Sequence, residues 1–254
     1  MYPFQRKEKI LDRLRNVGQI NINADAQLFN VSTSTLHRDL EDLEKQGLVQ
    51  KVMGGAILGE SDRFETHFDK RLKTRSAQKK AIAKRAVKYV KDDTSIFLDH
   101  SSTTLYMARE IKRRRFKNLV VLTNSLRVAE ELGGTQGIQV ISTGGIVEGE
   151  FKALSGRWVV ESFERINLHQ IFISVGAISL EHGLMTQVHF IHELTPTLIS
   201  RNQHINVLVD SSKFFKIGTF QISPLKPSCT IFTDQDLPDE IRVQIEKKGI
   251  SVIL

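Results

Sequence analysis

Two groups of residues have the types and spacing to do chemistry. The first is Asp99-His100-Ser101-Ser102-Thr103-Thr104, an acid and then four consecutive hydroxyls, directly after the apolar run Ile96-Phe97-Leu98. If that run is a parallel strand and the hydroxyls open a helix, helix N–H groups and side-chain oxygens together make an anion site. A plainer role is a hydroxyl cap that satisfies the helix's own N–H groups. Thr123-Asn124, Gly144-Gly145 and Gly176 also follow strand-like runs, and Lys213 follows the run that ends at Asp210. All of these can approach one crevice, where a lysine ammonium supplies a point charge for a phosphate or carboxylate. The second group is Ser32-Thr33-Ser34-Thr35-Leu36-His37-Arg38. Leu36, Leu40 and Leu43 share one helical stripe, which turns Thr33, Ser34 and His37 outward with Arg38 at the flank. Free N–H groups, hydroxyls, a histidine and an arginine in the first turns suit a helix that enters a DNA major groove. Arg6, Lys7 and Lys51 are the matching candidates for phosphate contacts. Glu41, Asp42 and Glu44 would repel phosphates, so the N-terminal half of that helix must lead.

Those side chains need elements to hold them. Ile10, Leu11, Leu14 and Val17 predict a first helix over 6–16, ended by Gly18. A brief alternation at 19–22 leads to a short second helix capped by Asn23, a turn at Asn30-Val31, and a third helix from Ser32 to Gly47. Residues 48–58 read as a two-stranded hairpin turning at Gly54-Gly55. Residues 1–58 are therefore expected to form a winged helix-turn-helix, and the polar, weakly periodic stretch 59–76 a linker. From 77 onward a helix over 77–91 precedes seven short β-branched runs that alternate with helical patterns. The runs lie at 96–98, 119–122, 138–141, 171–175, 205–209, 230–232 and 250–253. This pattern predicts an α/β domain over 77–254 with a mostly parallel sheet covered on both faces.

Composition narrows the setting. With 254 residues, 40% hydrophobic and 26% charged, the chain has an ordinary globular balance. It has no apolar run near the roughly 18 residues of a membrane span. The N-terminus turns charged at once, without a secretory pattern. The single Cys229 excludes a disulfide framework, so a soluble, cytoplasmic protein without a membrane partner is expected. The net charge of +7 is uneven: residues 1–60 are neutral, 61–120 carry +10 and 121–254 carry −3. Bulk basicity thus marks a middle segment, with Arg71, Lys73, Lys79, Lys80 and Arg113-Arg114-Arg115, rather than the N-terminal unit. His189, His192 and Glu193 have ligand-like helical spacing but lack a third histidine or cysteine nearby. Ser142-Thr143-Gly144-Gly145 lacks the Gly-Lys-Ser/Thr of a P-loop. Neither a metal nor a cofactor is expected.

Arg6, Ile10 and Leu14, then Val31-Ser32-Thr33-Ser34-Thr35-Leu36-His37-Arg38-Asp39-Leu40, then Gly54-Gly55-Ala56 resemble the DeoR family of bacterial transcription regulators. Leu98-Asp99 with Ser102-Thr103-Thr104, Thr123-Asn124-Ser125, Gly144-Gly145, Gly183-Leu184 and Asp210-Ser211-Ser212-Lys213-Phe214 extend the resemblance over the whole chain. Departures are Asp25 at a usually apolar position, His37 for arginine, Met53 for histidine and Ser101 for glycine. The resemblance implies a repressor of sugar or carbohydrate genes that binds double-stranded DNA, and because one recognition helix reads too few bases, a dimer or higher oligomer is expected. It also implies a C-terminal domain related to ribose-5-phosphate isomerase that senses a phosphorylated sugar or related metabolite. Ile178 and Ser179 stand where the isomerase carries acidic residues, so no enzyme activity is expected. Two alternatives remain at this point: an isomerase-like enzyme with an appended head, and a winged-helix scaffold that binds protein rather than DNA.

Overall fold

Ile10, Leu11 and Leu14 fall on one face of helix α1 (Pro3–Val17) and are fully buried in the N-terminal unit. The structure, a computed structural model, describes residues 2–45, 48–58 and 68–254. The expected helix stop at Gly47 and the first half of the expected linker, 59–67, lie outside those residues. Gly18 closes α1 at φ 83, a left-handed conformation that glycine takes without a Cβ clash, and donates to the Leu14 carbonyl. Strand β1 (Gln19–Asn21), helix α2 (Ile22–Leu28), helix α3 (Thr33–Lys45) and strands β2 (Val49–Val52) and β3 (Gly55–Leu58) complete the unit. The wing has three strands rather than two, in the antiparallel order β1-β3-β2. Gly55 makes this possible, because a Cβ there would stand 1.8 Å from the Ile20 carbonyl oxygen. The cap of α2 is Asn21, not Asn23: its side chain accepts from the N–H groups of Asn23 and Ala24.

The expected linker contains structure. Helix α4 (Phe68–Lys73) lies within 59–76, and its Phe68 is buried among Ile82, Ala86 and Tyr106. A single aromatic anchor carries no periodicity, which is why the segment reads as loop. Helix α5 (Ser76–Ala86) follows and ends in a 3-10 turn at Val87–Tyr89.

All seven predicted runs are strands of one parallel sheet. In chain order they are β4 (Ser95–Leu98), β5 (Leu119–Thr123), β6 (Ile138–Ser142), β9 (Gln170–Ile173), β12 (Ile205–Leu208), β14 (Cys229–Phe232) and β15 (Ser251–Ile253). Alternate side chains enter opposite layers. Ile96 and Leu98 pack under α5, α6 (Ser102–Arg113) and α7 (Leu126–Leu132). Phe97 faces α8 (Arg157–Arg165) and α9 (His189–Ser200), while α10 (Asp239–Glu246) packs beside β15. Two pieces were not predicted: a hairpin of β7 (Ile146–Glu148) and β8 (Ala153–Ser155), and a second antiparallel sheet. The latter joins β10 (Ala177–Ser179), β11 (Gly183–Thr186) and β13 (Phe220–Ser223).

The order of the large sheet is β15-β14-β12-β9-β4-β5-β6. From β4 the chain runs outward to β6, then returns to β9 on the other side of β4 and runs outward to β15. The direction of winding therefore reverses between β4 and β9, and the strand ends diverge there to leave a crevice. Asp99 follows β4 and Ser174-Val175-Gly176 follows β9, so the predicted anion residues stand at this switch point.

Candidate functional site

In the N-terminal unit, Leu36, Leu40 and Leu43 are buried, and Thr33, Ser34, His37 and Arg38 are exposed, as their spacing predicts. Ser32 Oγ accepts from the Thr35 N–H at 3.1 Å and also meets the hydroxyls of Ser34 and Thr35. The start of α3 is thus preorganised with its hydroxyls at the surface.

The three basic residues expected at phosphates are engaged within the unit. Arg6 is buried, not exposed, and forms a two-pronged ion pair with Asp39, Nη2 to Oδ1 being 3.2 Å. It locks α1 to α3. Lys7 Nζ lies 2.9 Å from Asp42 and Lys51 Nζ 3.1 Å from Glu41. These two pairs neutralise part of the acidic half of α3 that would otherwise repel a phosphate backbone. Asp25, the departure in α2, is buried and satisfied by Arg13 Nε at 3.0 Å and the Asn21 N–H at 2.7 Å. A polar clamp thereby takes the place of an apolar contact.

In the α/β body, Asp99 stitches the switch point together. Its Oδ1 accepts from the Ser101 N–H and the Thr104 hydroxyl, at 2.9 and 2.8 Å. Its Oδ2 accepts from the Ser174 N–H at 2.7 Å, across to the loop after β9. Ser101 caps α6 by accepting from the Thr104 N–H. The plainer capping role thus holds for Ser101 and Thr104, whose hydroxyls are occupied. Ser101, Ser102 and Thr103 together line a cavity of about 320 Å³ in front of the helix N-terminus. That volume lies at the small end for metabolite sites.

The same cavity takes Gly176, Lys213 and Lys216 from one side and Arg71, Arg75 and Lys79 from α4, α5 and the turn between them. Arg71 lies over the Phe68 and Phe151 rings, 5.5 and 5.3 Å from their centroids. Lys79 donates to the carbonyls of Arg71 and Thr74, which closes the α4–α5 corner. Arg75 takes a left-handed backbone at φ 49 and pairs with Asp210, Asp234 and Asp236. Asp210 is the one carboxylate among the described lining residues. Burial opposes its charge, but Lys213, a hydrogen bond from Ser212, Lys79 and Arg75 together hold its pKa below the ordinary value. The arrangement is an ionised acid inside an excess of cations, next to a helix N-terminus. Such a charge balance is chemically suited to an anion.

The other predicted residues do not reach that cavity. Thr123 donates to the Leu98 carbonyl and accepts from the Ser125 N–H, which fixes the β5 end. Asn124 donates to the Leu154 carbonyl. Gly144 and Gly145 serve the β7–β8 hairpin, where a Cβ on Gly145 would stand 2.3 Å from the Ser155 carbonyl oxygen. Asp99 and Thr104 act behind the lining. His189 and His192 flank Phe220, and His192 Nδ1 meets the Gln221 carbonyl. Among the described residues no three His, Cys, Asp or Glu side chains converge as a metal site.

Sequence reasoning missed His100 and the α4–α5 cations. The only signal of the cations was the +10 charge of residues 61–120, which does not say where the charges converge. His100 is buried beside Phe190 and Phe151, with ring centroids 5.5 and 6.4 Å away. Burial, aided by Arg71 and opposed by Asp99, lowers its pKa to about 4, so the ring is neutral at physiological pH.

Comparison with known proteins agrees with this division. Residues 6–62 match the DeoR-like helix-turn-helix domain, and residues 74–235 match the DeoR C terminal sensor domain. The HTH-type transcriptional regulator GolR of Listeria innocua is 33% identical over 99% of this chain and 98% of its own. The putative aga operon transcriptional repressor of Escherichia coli O157:H7 is 29% identical over 98% of this chain and 93% of its own. The L-fucose operon activator of Haemophilus influenzae is 26% identical over 98% of this chain and 99% of its own. No helix among the described residues is long and apolar enough to cross a membrane. With a helix-turn-helix unit on one side of the segment 59–67 and a sensor domain on the other, the chain belongs to the DeoR family of transcription regulators.

Proposed function

We propose that this chain represses genes of sugar metabolism and releases or changes its grip on DNA when a phosphorylated sugar or related metabolite enters the sensor cavity. The observation that carries this is the cation-lined cavity at the sheet's switch point, in a chain whose other unit presents a groove-sized helix. A phosphate there would meet the α6 N–H groups, the Ser102 and Thr103 hydroxyls and Lys213. Relatives named for the aga and L-fucose operons support a sugar-derived effector. Linkage supplies the mechanism: an effector that binds two conformations unequally shifts their populations, and with them the affinity for DNA. The test is to select genomic fragments with the purified protein and titrate the complexes with sugar phosphates. A repressor controlled in this way shows salt-dependent, sequence-specific binding that one phosphate ester alters and its unphosphorylated sugar does not. Sequence-independent binding, or indifference to every ester, would count against it.

The cavity supports binding rather than turnover. Aldose–ketose isomerisation needs a base beside the substrate carbon. Asp210 is engaged by Arg75 and Ser212 and held at low pKa, which makes it a poor base. Ile178 is apolar, Ser179 Oγ accepts from the Glu181 and His182 N–H groups, and the Glu181 side chain is exposed. No isomerisation of sugar phosphates is expected.

Two outcomes are expected on DNA. Arg38→Ala weakens specific binding by about 1–3 kcal/mol if the guanidinium grips a base edge, and relaxes preference at one operator position. Fluorescence anisotropy on operator and scrambled duplexes reads this. An equal loss on both makes Arg38 a phosphate contact, and no loss removes it from the interface. One recognition helix reads too few bases for useful specificity, so a symmetric dimer or higher oligomer binds paired half-sites, with the body supplying the interface. Sedimentation of the DNA complex checks this, and a single chain per operator would refute it.

A further inference from the structure

We propose that His100, with Asn124, forms a subsite of the sensor that reads a hydroxyl group of the sugar beyond its phosphate; this rests on the phosphate reading of the main cavity. Behind that cavity lies a chamber of about 20 Å³, and His100 lines both spaces. His100 Nδ1 and Asn124 Oδ1 are buried and have no hydrogen-bond partner, and both side chains border this chamber. Buried polar atoms without partners are rare because each forfeits its hydration. Here two of them flank one space.

The chemistry of the chamber selects its occupant. Apart from these two and Thr195, its border is dominated by apolar side chains such as Phe97, Phe163, Ile173 and Leu194. Asp99 also borders it, but both of its oxygens are already used by Ser101, Thr104 and Ser174. The Asn124 amide is oriented by its bond to the Leu154 carbonyl, which leaves Oδ1 as an acceptor. The His100 ring is wedged between Phe151 and Phe190, and the charged groups acting on it are Asp99 and Arg71. A neutral imidazole offers one donor or one acceptor at Nδ1, according to tautomer. The space admits a single group of about water size. A hydroxyl fits, since it donates to Asn124 Oδ1 and accepts from His100 Nδ1 in the tautomer that carries the proton there. A second phosphate or carboxylate does not fit, because no lysine or arginine is among the described residues that line the chamber. The effector class is therefore a polyhydroxylated monophosphate, with its phosphate at Lys213 and a hydroxyl at His100.

The experiment uses the full chain and calorimetric titration with ribose 5-phosphate, 2-deoxyribose 5-phosphate, and the 6-phosphates of glucose, galactose, mannose, fructose and tagatose. Inorganic phosphate and the free sugars are titrated alongside. The wild type is expected to separate epimers of the sugar phosphates by tenfold or more. His100→Phe keeps an aromatic ring in the wedge but removes the nitrogen; it should lose ten- to hundredfold in affinity for the preferred ester and flatten the epimer preference. Inorganic phosphate binding should stay within about twofold. His100→Asn, which restores a polar atom near the Nδ1 position, should recover most of the preference. Unchanged ester affinity in His100→Phe means that the chamber holds only water and overturns the proposal. An equal loss for inorganic phosphate overturns it too, by making His100 a determinant of cavity shape. If free sugars bind as well as their esters and still depend on His100, the subsite stands and the phosphate reading falls. If no probe binds the wild type, both fall.

Discussion

Replacing Asp39 by alanine unfolds the N-terminal unit and abolishes DNA binding while the α/β body remains folded. Arg6 and Asp39 are both buried, and their two-pronged pair is the polar tie between α1 and α3. Removing one partner of a buried pair leaves an uncompensated charge, which costs about 3–5 kcal/mol. A unit of this size has a total stability of only about 3–9 kcal/mol. The loss is therefore comparable with everything that holds the unit together. Thermal unfolding followed by circular dichroism should show an early helical transition in Asp39→Ala, with the later transition of the body unmoved. Arg6→Ala strands the carboxylate and should behave alike. The double variant Arg6→Met, Asp39→Leu removes both charges and should restore most of the stability. That double variant also fixes the role of Arg6. If Arg6 serves only the fold, the restored protein binds operator with wild-type affinity and salt dependence. A refolded variant with a salt slope lower by about one would return Arg6 to the phosphate backbone. A melting curve of Asp39→Ala that overlays the wild type would mean that the apolar stripe alone holds α1 to α3.

The seven parallel strands were legible because each is a short, mostly apolar run between helical patterns; burial on both faces demands this of the inner five, while β6 and β15 are edges. Strands β10 and β11 were not, because Ala177–Ser179 and Gly183–Thr186 end in a hydroxyl residue, β11 starts on a glycine, and no helical pattern separates the two. The same contrast runs through the site. Asp99, Ser102, Thr103 and Lys213 follow strand ends, and position after a strand is visible in one dimension. Arg75 meets Asp210 and Asp234 across more than 130 residues, and no local pattern announces such a pairing. Lys7 and Lys51 show the converse. Their charge suited phosphate, but the acids of α3 are closer and already engage them. His100 was hidden because a histidine ahead of a run of hydroxyls reads as part of the cap; only the fold reveals its unpaired nitrogen.

Lys213→Ala weakens effector binding by roughly ten- to hundredfold and leaves DNA affinity without effector unchanged. The side chain extends from the 3-10 turn Ser211–Phe215 into the cavity wall opposite Ser102 and Thr103. A hydrogen bond to a charged group is worth about 1.5–3 kcal/mol, which gives that range of affinity. Lys213 also acts on Asp210, and this effect must be separated from ligand binding. Because the folded-state pKa of Asp210 is lowered, its carboxylate stabilises the fold above its ordinary value of 3.8, and that stabilisation is lost as the pH falls through the lower folded value. Lys213 is a principal cause of the lowering. The ligand-free variant should therefore melt below the wild type at pH 7, and the gap should narrow as the pH drops below 3.8. A purely structural lysine would give that pattern and nothing more. A phosphate-binding lysine adds a selective loss for esters over free sugars, measured by calorimetry at pH 7 well below the melting temperature. Lys213→Arg, which keeps the charge, should restore the melting temperature but only part of the ester affinity, because a planar fork does not reproduce a compact ammonium. Full ester affinity in Lys213→Ala would move the phosphate away from this wall, towards Arg71 and Lys216.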